Sequence, residues 1–191
     1  MERITIWLAT VLATTGCYAA EAPAFLESGQ CPDLSLQPFD AAKFSGEWYR
    51  IGGLPTSEEK SVNCTRYNYQ NTPDGFEVSS SGVDADGAPV TQQNMLSFAD
   101  DATVGNFNTI VRDHLEVSVY VLNTDYSSFA CLYSCYQFRK THKAQFAWIY
   151  SRETTLPREK IALCQREFRD KGTVKVNKLR GTYQGPDCVR V

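Results

Sequence analysis

The chain has 191 residues, 42% of them hydrophobic, with a formal net charge of -3 and seven cysteines. That length corresponds to about one domain able to bury a sizeable core. The small net charge, without any long run of Lys or Arg, argues against nucleic acid or an anionic membrane surface as a partner.

Met1-Glu2-Arg3 leads into an apolar run, Ile4 to Ala13, that is too short to span a bilayer and is followed by small residues. This pattern is expected of a secretory signal peptide. Cleavage after Ala19 places Cys17 and Ala19 at the two small-residue positions before the cut, leaving residues 20–191 as a single extracellular domain. A lipoprotein signal with a lipidated Cys17 competes, but Thr14 stands where that signal normally wants Leu. Removing Cys17 from the seven cysteines leaves six: Cys31, Cys64, Cys131, Cys135, Cys164 and Cys188. An even set in a secreted chain reads as disulfides, and spacing alone does not choose among the pairings. No metal is expected, because Cys131 and Cys135 have no second Cys pair and only His114 and His142 could complete a site.

A Pro-rich lead from Pro23 to Pro38 shows no usable periodicity and is expected to wrap one end of the domain. Phe39 to Ser45 reads as a short turn of helix entering a first strand at Gly46, which breaks near Gly52-Gly53-Leu54-Pro55. Thr56 to Ser61 is a polar loop. Asn63 to Gln70 alternates Tyr67 and Tyr69 with Arg66 and Asn68, the pattern of a half-buried strand. Pro73-Asp74-Gly75 is a turn, and strands follow over Phe76–Val83, Val90–Phe98, Asn106–Arg112, Glu116–Asn123, Phe129–Phe138 and Ala144–Arg152. Eight evenly spaced strands with no helix between them predict a sandwich or an up-and-down barrel. One helix comes after them, capped by Thr154 or Thr155, with Pro157 in its first turn and Gly172 at its stop. Its apolar stripe, Ile161, Cys164 and Phe168, should pack on the outside of the sheet. Val174 to Tyr183 reads as one more short strand.

Three separated motifs organise this pattern: Gly46-Glu47-Trp48-Tyr49, Thr124-Asp125-Tyr126 and Ser151-Arg152. Their order and spacing resemble those of the lipocalins. The resemblance implies an all-β, eight-stranded antiparallel barrel with one C-terminal helix outside, in which Arg152 lies across the Trp48 ring at the closed end. A guanidinium over an indole is worth about 2 kcal/mol when desolvated. The run from Leu122 to Cys135, with Phe129 where Tyr is usual, and the aromatic Phe146 to Arg152, resemble the crustacyanins. These are a carotenoid-binding branch related to apolipoprotein D and the insect bilin-binding lipocalins. By position, the branch implies the pairs Cys31–Cys135, Cys64–Cys188 and Cys131–Cys164. Cys131 and Cys135 share a face, so Leu132, Ser134 and Tyr136 should face the lumen.

An eight-stranded barrel holds one small ligand. Alternation assigns Tyr67, Tyr69, Val78, Ser80, Gln92, Asn94, Leu96, Phe107, Thr109 and Val111 to the lumen, each of which could equally be an ordinary core residue. Asn106 stands where the family places a polar group near the carotenoid end ring. The resemblance implies a secreted carrier of a keto-carotenoid such as astaxanthin, working as a homo- or heterodimer with another lipocalin subunit. A bilin, retinoid or fatty acid is the alternative cargo, and Arg50, Lys60, Arg66 and Arg112 are the basic groups that could meet a bilin's propionates. A ligand-free interaction scaffold is a further alternative. An enzyme is not expected, since thiolate chemistry needs an unpaired Cys and both histidines lie in polar, turn-like contexts. Asn63-Cys64-Thr65 is a glycosylation sequon with its Cys expected in a bridge.

Overall fold

The computed structural model describes residues 26–56, 59–111 and 115–190. The expected signal peptide, and expectations placed on Ser57, Glu58, Arg112 and His114, lie outside them. Helix α1 (Ala41–Phe44) is followed by β2 (Gly46–Gly53), β3 (Asn63–Thr72), β4 (Gly75–Val83), β5 (Pro89–Phe98), β6 (Asn106–Val111), β7 (Leu115–Thr124), β8 (Phe129–Phe138) and β9 (His142–Ser151). Each of these strands pairs with the next in antiparallel register, and β9 returns to β2, closing an eight-stranded barrel. Two short strands flank it: β1 (Glu27–Ser28) on β9 and β10 (Arg180–Gly181) on β2. Helix α2 (Arg158–Asp170) lies against the outer face. Among the described residues no helix is long and apolar enough to cross a membrane.

Side-chain alternation sorts the core into two bodies. The inward faces of β2 to β9 hold Trp48, Tyr67, Tyr69, Phe76, Val78, Leu96, Phe107, Val119, Leu132 and Tyr150 in one cluster. The outward residues Cys131, Tyr133, Cys135, Ala147 and Ile149 of β8 and β9 join Cys164 and Phe168 of α2 in the other. Cys164 and Phe168 are fully buried, as the apolar stripe of the helix requires, and Ile161 packs at its margin.

The cysteines form the three bridges Cys31–Cys135, Cys64–Cys188 and Cys131–Cys164. The third staples α2 to β8. In the second, Cys64 takes a positive φ of 55° where the β3–β4 register shifts between Asn63 and Arg66, and it meets the C-terminal tail.

Several expectations need correction. The helix is not capped by Thr154 or Thr155: Pro157 occupies the cap without a side-chain hydrogen bond, its carbonyl accepting the amides of Lys160 and Ile161. Thr155 is engaged earlier, its carbonyl accepting the Ser151 hydroxyl at 2.8 Å. The stop is as expected, with Gly172 at φ 63°. Residues from Val174 to Tyr183 form a single 3-10 turn (Val176–Lys178) and the two residues of β10 rather than one strand. The reason lies in β2, which is paired with β3 only from Gly46 to Tyr49, so that β10 has just the Gly52–Gly53 edge to fill. The N-terminal lead contributes β1, paired with His142 and Lys143.

Candidate functional site

The two ends of the barrel are built differently. At the closed end, Asp40 caps α1 by accepting the Lys43 amide at 3.1 Å, which sets Phe44 under the barrel. The Phe44 carbonyl then accepts the Trp48 indole N–H at 2.8 Å. Arg152 lies 3.7 Å above the Trp48 ring centre. Its guanidinium donates to the carbonyls of Tyr126 (3.0 Å), Glu47 (2.7 Å) and Ser45 (2.9 Å). One side chain thereby ties together β2, the turn after β7 and the end of β9. Phe39, Phe44, Phe76 and Phe107 pack edge-on and tilted above this platform, with ring centres 5.2–6.5 Å apart.

Thr124-Asp125-Tyr126 builds the neighbouring turn. Tyr126 adopts φ 64°, with the Thr124 hydroxyl accepting its amide at 2.9 Å. Asp125 accepts the Ser128 amide at 2.7 Å and the Phe129 amide at 3.1 Å, and it pairs with Lys160 of α2 at 3.2 Å. Burial alone would raise this carboxyl. The hydrogen bonds from Ser128, Phe129 and Lys160 outweigh burial and hold it well below the ordinary carboxylate range.

Above the aromatic floor is a cavity of about 1170 Å3 that opens at the far end. Tyr67, Tyr69, Val78 and Ser80 line it from β3 and β4; Gln92, Asn94 and Leu96 from β5; Thr109 and Val111 from β6; Leu132, Ser134 and Tyr136 from β8. All of these were assigned to the lumen by sequence. Two other expected contacts are not on its wall. Phe107 is 1% exposed and belongs to the aromatic floor. Asn106 pairs with Tyr120 and so has the parity opposite to Phe107, Thr109 and Val111, which turns it outward. Its Oδ1 is buried and makes no hydrogen bond among the described residues.

The wall also holds residues that the sequence reading did not assign to the lumen, among them Val117 and Val119 of β7, and Ala144, Phe146, Trp148 and Tyr150 of β9. Their alternation was readable in the same way as that of β3. The wall also receives a polar cluster. Glu59, from the loop between β2 and β3, turns inward and accepts hydrogen bonds from the Tyr67 hydroxyl and, at 3.0 Å, from the Trp148 indole N–H. Its second oxygen pairs with Arg50 Nη1 at 2.7 Å. Arg50 is 6% exposed and shares the inward parity of Trp48. Burial raises the Glu59 carboxyl above its ordinary value, opposed by Arg50, Tyr67 and Trp148. The loop is fastened across the mouth by the Lys60 amide, which donates to Gln92 Oε1 at 3.0 Å. No periodic signal marks Glu59, since a loop has none.

Arg66 is a half-exposed outer residue that donates to Ser81, whereas Arg50 is turned inward. Ser134, 1% exposed on the wall, has a hydroxyl oxygen without a hydrogen-bond partner among the described residues. Asn63 Oδ1 accepts the Tyr183 amide at 3.1 Å. The described residues contain no group of three or more His, Cys, Asp or Glu able to hold a metal ion.

A model of the lipocalin / cytosolic fatty-acid binding protein family matches residues 45–184. The crustacyanin-A1 subunit of Homarus gammarus is 23% identical over 172 residues, covering 87% of this chain and 94% of that one. Apolipoprotein D of Macaca fascicularis is 30% identical over 183 residues, covering 90% and 92%. The solved structure of lobster apocrustacyanin A1 superposes with a TM-score of 0.78 at 24% identity, over 88% of this chain and 96% of the other.

Proposed function

Because the chain belongs to the lipocalin / cytosolic fatty-acid binding protein family, we propose that it is a secreted carrier of a keto-carotenoid, with astaxanthin as the cargo that fits best. The observation carrying this reading is the cavity of about 1170 Å3, lined mainly by apolar and aromatic side chains with a few hydroxyl and amide groups among them. An apolar enclosure with a few placed polar groups suits a small hydrophobic ligand. One end ring sits on the Tyr69, Leu96 and Tyr150 layer, against Leu132. The unpartnered Ser134 hydroxyl donates to a ring oxygen, and the polyene leaves between the strands' open ends. Asn106 takes no part, being turned outward. The crustacyanin-like sequence features support the carotenoid over other cargo, and pairing with a second lipocalin subunit would cover the emerging polyene.

An absorbance spectrum of refolded residues 20–191, taken after incubation with astaxanthin or biliverdin and removal of free pigment, tests the reading. Retained astaxanthin with a band moved to longer wavelength is the expected result. Retention of biliverdin alone would make the protein a bilin carrier, and retention of neither would sink both pigment readings.

A further inference from the structure

We propose that the outer face of α2 and the groove at its C-terminal end bind a linear sulfated polysaccharide. The charge of the chain is unevenly placed. Residues 67–128 hold nine Asp and Glu against a single Arg, whereas residues 158–178 hold seven Lys and Arg against three Asp and Glu, in a chain of net charge -3. The basic stretch contains no run of adjacent cations, because its members are spaced along a helix and gathered by the fold. Arg158, Arg166 and Arg169 stand exposed on the side of α2 away from the buried Cys164 and Phe168. At the helical rise they extend over about 16 Å.

This strip leads into an open groove of about 800 Å3 between the end of α2, the segment that follows it, and the outer side of the β1–β9 pair. Arg169, Lys175 and Lys143 line the groove, with Ser28 and Asn177 as neutral hydrogen-bonding groups. The acid on its wall, Glu27, is engaged by Lys178 at 2.5 Å and by the Gln145 amide at 2.9 Å. Elsewhere in the stretch, Lys160 pairs with Asp125 and Lys171 with Glu167. Arg158, Arg166, Arg169 and Lys175 are exposed and make no ion pair among the described residues, while Glu159 and Asp170 lie along one flank of the helix. Four cations are thus left for an outside partner.

The chemistry of the surface selects the partner. A guanidinium presents a planar fork matched to two oxygens of an oxyanion, and charge-assisted bonds of this type are the strong ones. A row of three guanidinium groups running into a concave basic groove suits sulfate groups repeated along a narrow chain. A bilayer would instead call for apolar side chains that enter the acyl boundary. A nucleic-acid strand would call for aromatic rings on which its bases stack, and a protein partner for aromatic anchors at the centre of its interface. The exposed large hydrophobic residues Val62, Met95, Ile110, Phe138 and Tyr183 all lie outside the strip and the groove. Because α2 lies on the outer face of the barrel, the polysaccharide is held whatever the cavity carries. The secreted reading puts the protein where such polymers are displayed.

The test measures binding of the purified protein to heparin, fully desulfated heparin, phosphatidylserine vesicles and single-stranded DNA. It is run at about 0.15 M ionic strength, where exposed charges more than about 8 Å apart are largely screened. Heparin is expected to bind about tenfold or more tightly than each of the other three. Arg158→Gln, Arg166→Gln, Arg169→Gln and Lys175→Gln should each weaken heparin binding about threefold, the size of one exposed ion pair, with Tm unchanged. Lys43→Gln, which removes one exposed charge at the closed end, should change heparin binding by less than about twofold. Absence of heparin binding in wild type, equal binding of vesicles or DNA, or equal responses of R166Q and K43Q would overturn the proposal. No pigment is needed, so the outcome is separate from that of the carotenoid reading.

Discussion

The closed end and the mouth of this barrel are both sites where an arginine meets an aromatic and polar cluster, yet they are tied down in opposite ways. Arg152 gives its donors to main-chain carbonyls of β2 and of the turn after β7, groups that cannot leave without unfolding the barrel. Arg50 forms its ion pair with a side chain on a loop, Glu59, at 2.7 Å. The first arrangement is redundant and serves stability. The second joins a strand to a loop through one side-chain ion pair, with a single main-chain carbonyl, Leu54, beside it.

That contrast predicts graded effects. Trp48→Ala should be the most damaging single change, at about 4 kcal/mol in urea unfolding, because it opens a cavity under a fully buried ring and removes the platform for Arg152. A loss under about 1 kcal/mol would show that the floor is not the keystone. Arg152→Lys should cost about 2 kcal/mol, since a single ammonium cannot both cover the ring and reach the same carbonyls. Asp125→Asn should cost about 1 kcal/mol, comparable to losing a helix cap, and should loosen α2 through the lost pairing with Lys160. At the mouth, Phe146→Ala should leave the unfolding midpoint nearly unchanged, its side chain being only half-buried, and yet weaken pigment retention. Equal losses of stability from Phe146→Ala and Trp48→Ala would erase the distinction between the two ends.

The smallest and sharpest effect is one of pH. Asp125 has a folded carboxyl below its ordinary value of 3.8, so the stability it supplies is present above that value and is lost as pH falls through the lower folded one. Glu59 has a folded carboxyl above its ordinary 4.5; its contribution is full below that pH and is lost as pH rises through the higher folded value. Stability curves of D125N and E59Q, each subtracted from wild type between pH 2 and 8, should slope in opposite directions. Slopes of the same sign would contradict the environments assigned to the two carboxyls.

How much of this was legible in sequence follows the same division. The floor was readable, because Trp48, Tyr126 and Arg152 sit at fixed positions relative to strand ends, and such positions survive as spacing. Most of the cavity wall was readable from alternation in β3, β4, β5 and β8. Asn106 was misplaced because family position was followed against the parity of its own strand, and Phe107 because parity says inward without saying how deep. Glu59 was unreadable: a loop residue has no period, and its inward turn depends on Arg50, Tyr67 and Trp148 converging from three strands. The helix cap and the tail failed for a related reason, since a Thr at the right composition was outcompeted by Pro157, and the edge left on β2 decided how much strand β10 could form.

The three disulfides carry a mechanical consequence. Cys64 and Cys188 enclose β4 to β9 between them, and Cys31–Cys135 overlaps that loop from the other side. A pull applied at Cys31 and Cys188 has two covalent routes: along residues 31–64 and across Cys64–Cys188, or across Cys31–Cys135, back along β8 to Cys131, across Cys131–Cys164 and down the chain to Cys188. The second route is the shorter, so the chain after Cys164 goes taut before the segment carrying α1 and β2 is fully extended. Strands β4 to β7 and β9 lie on neither route and bear none of the load while the bridges hold.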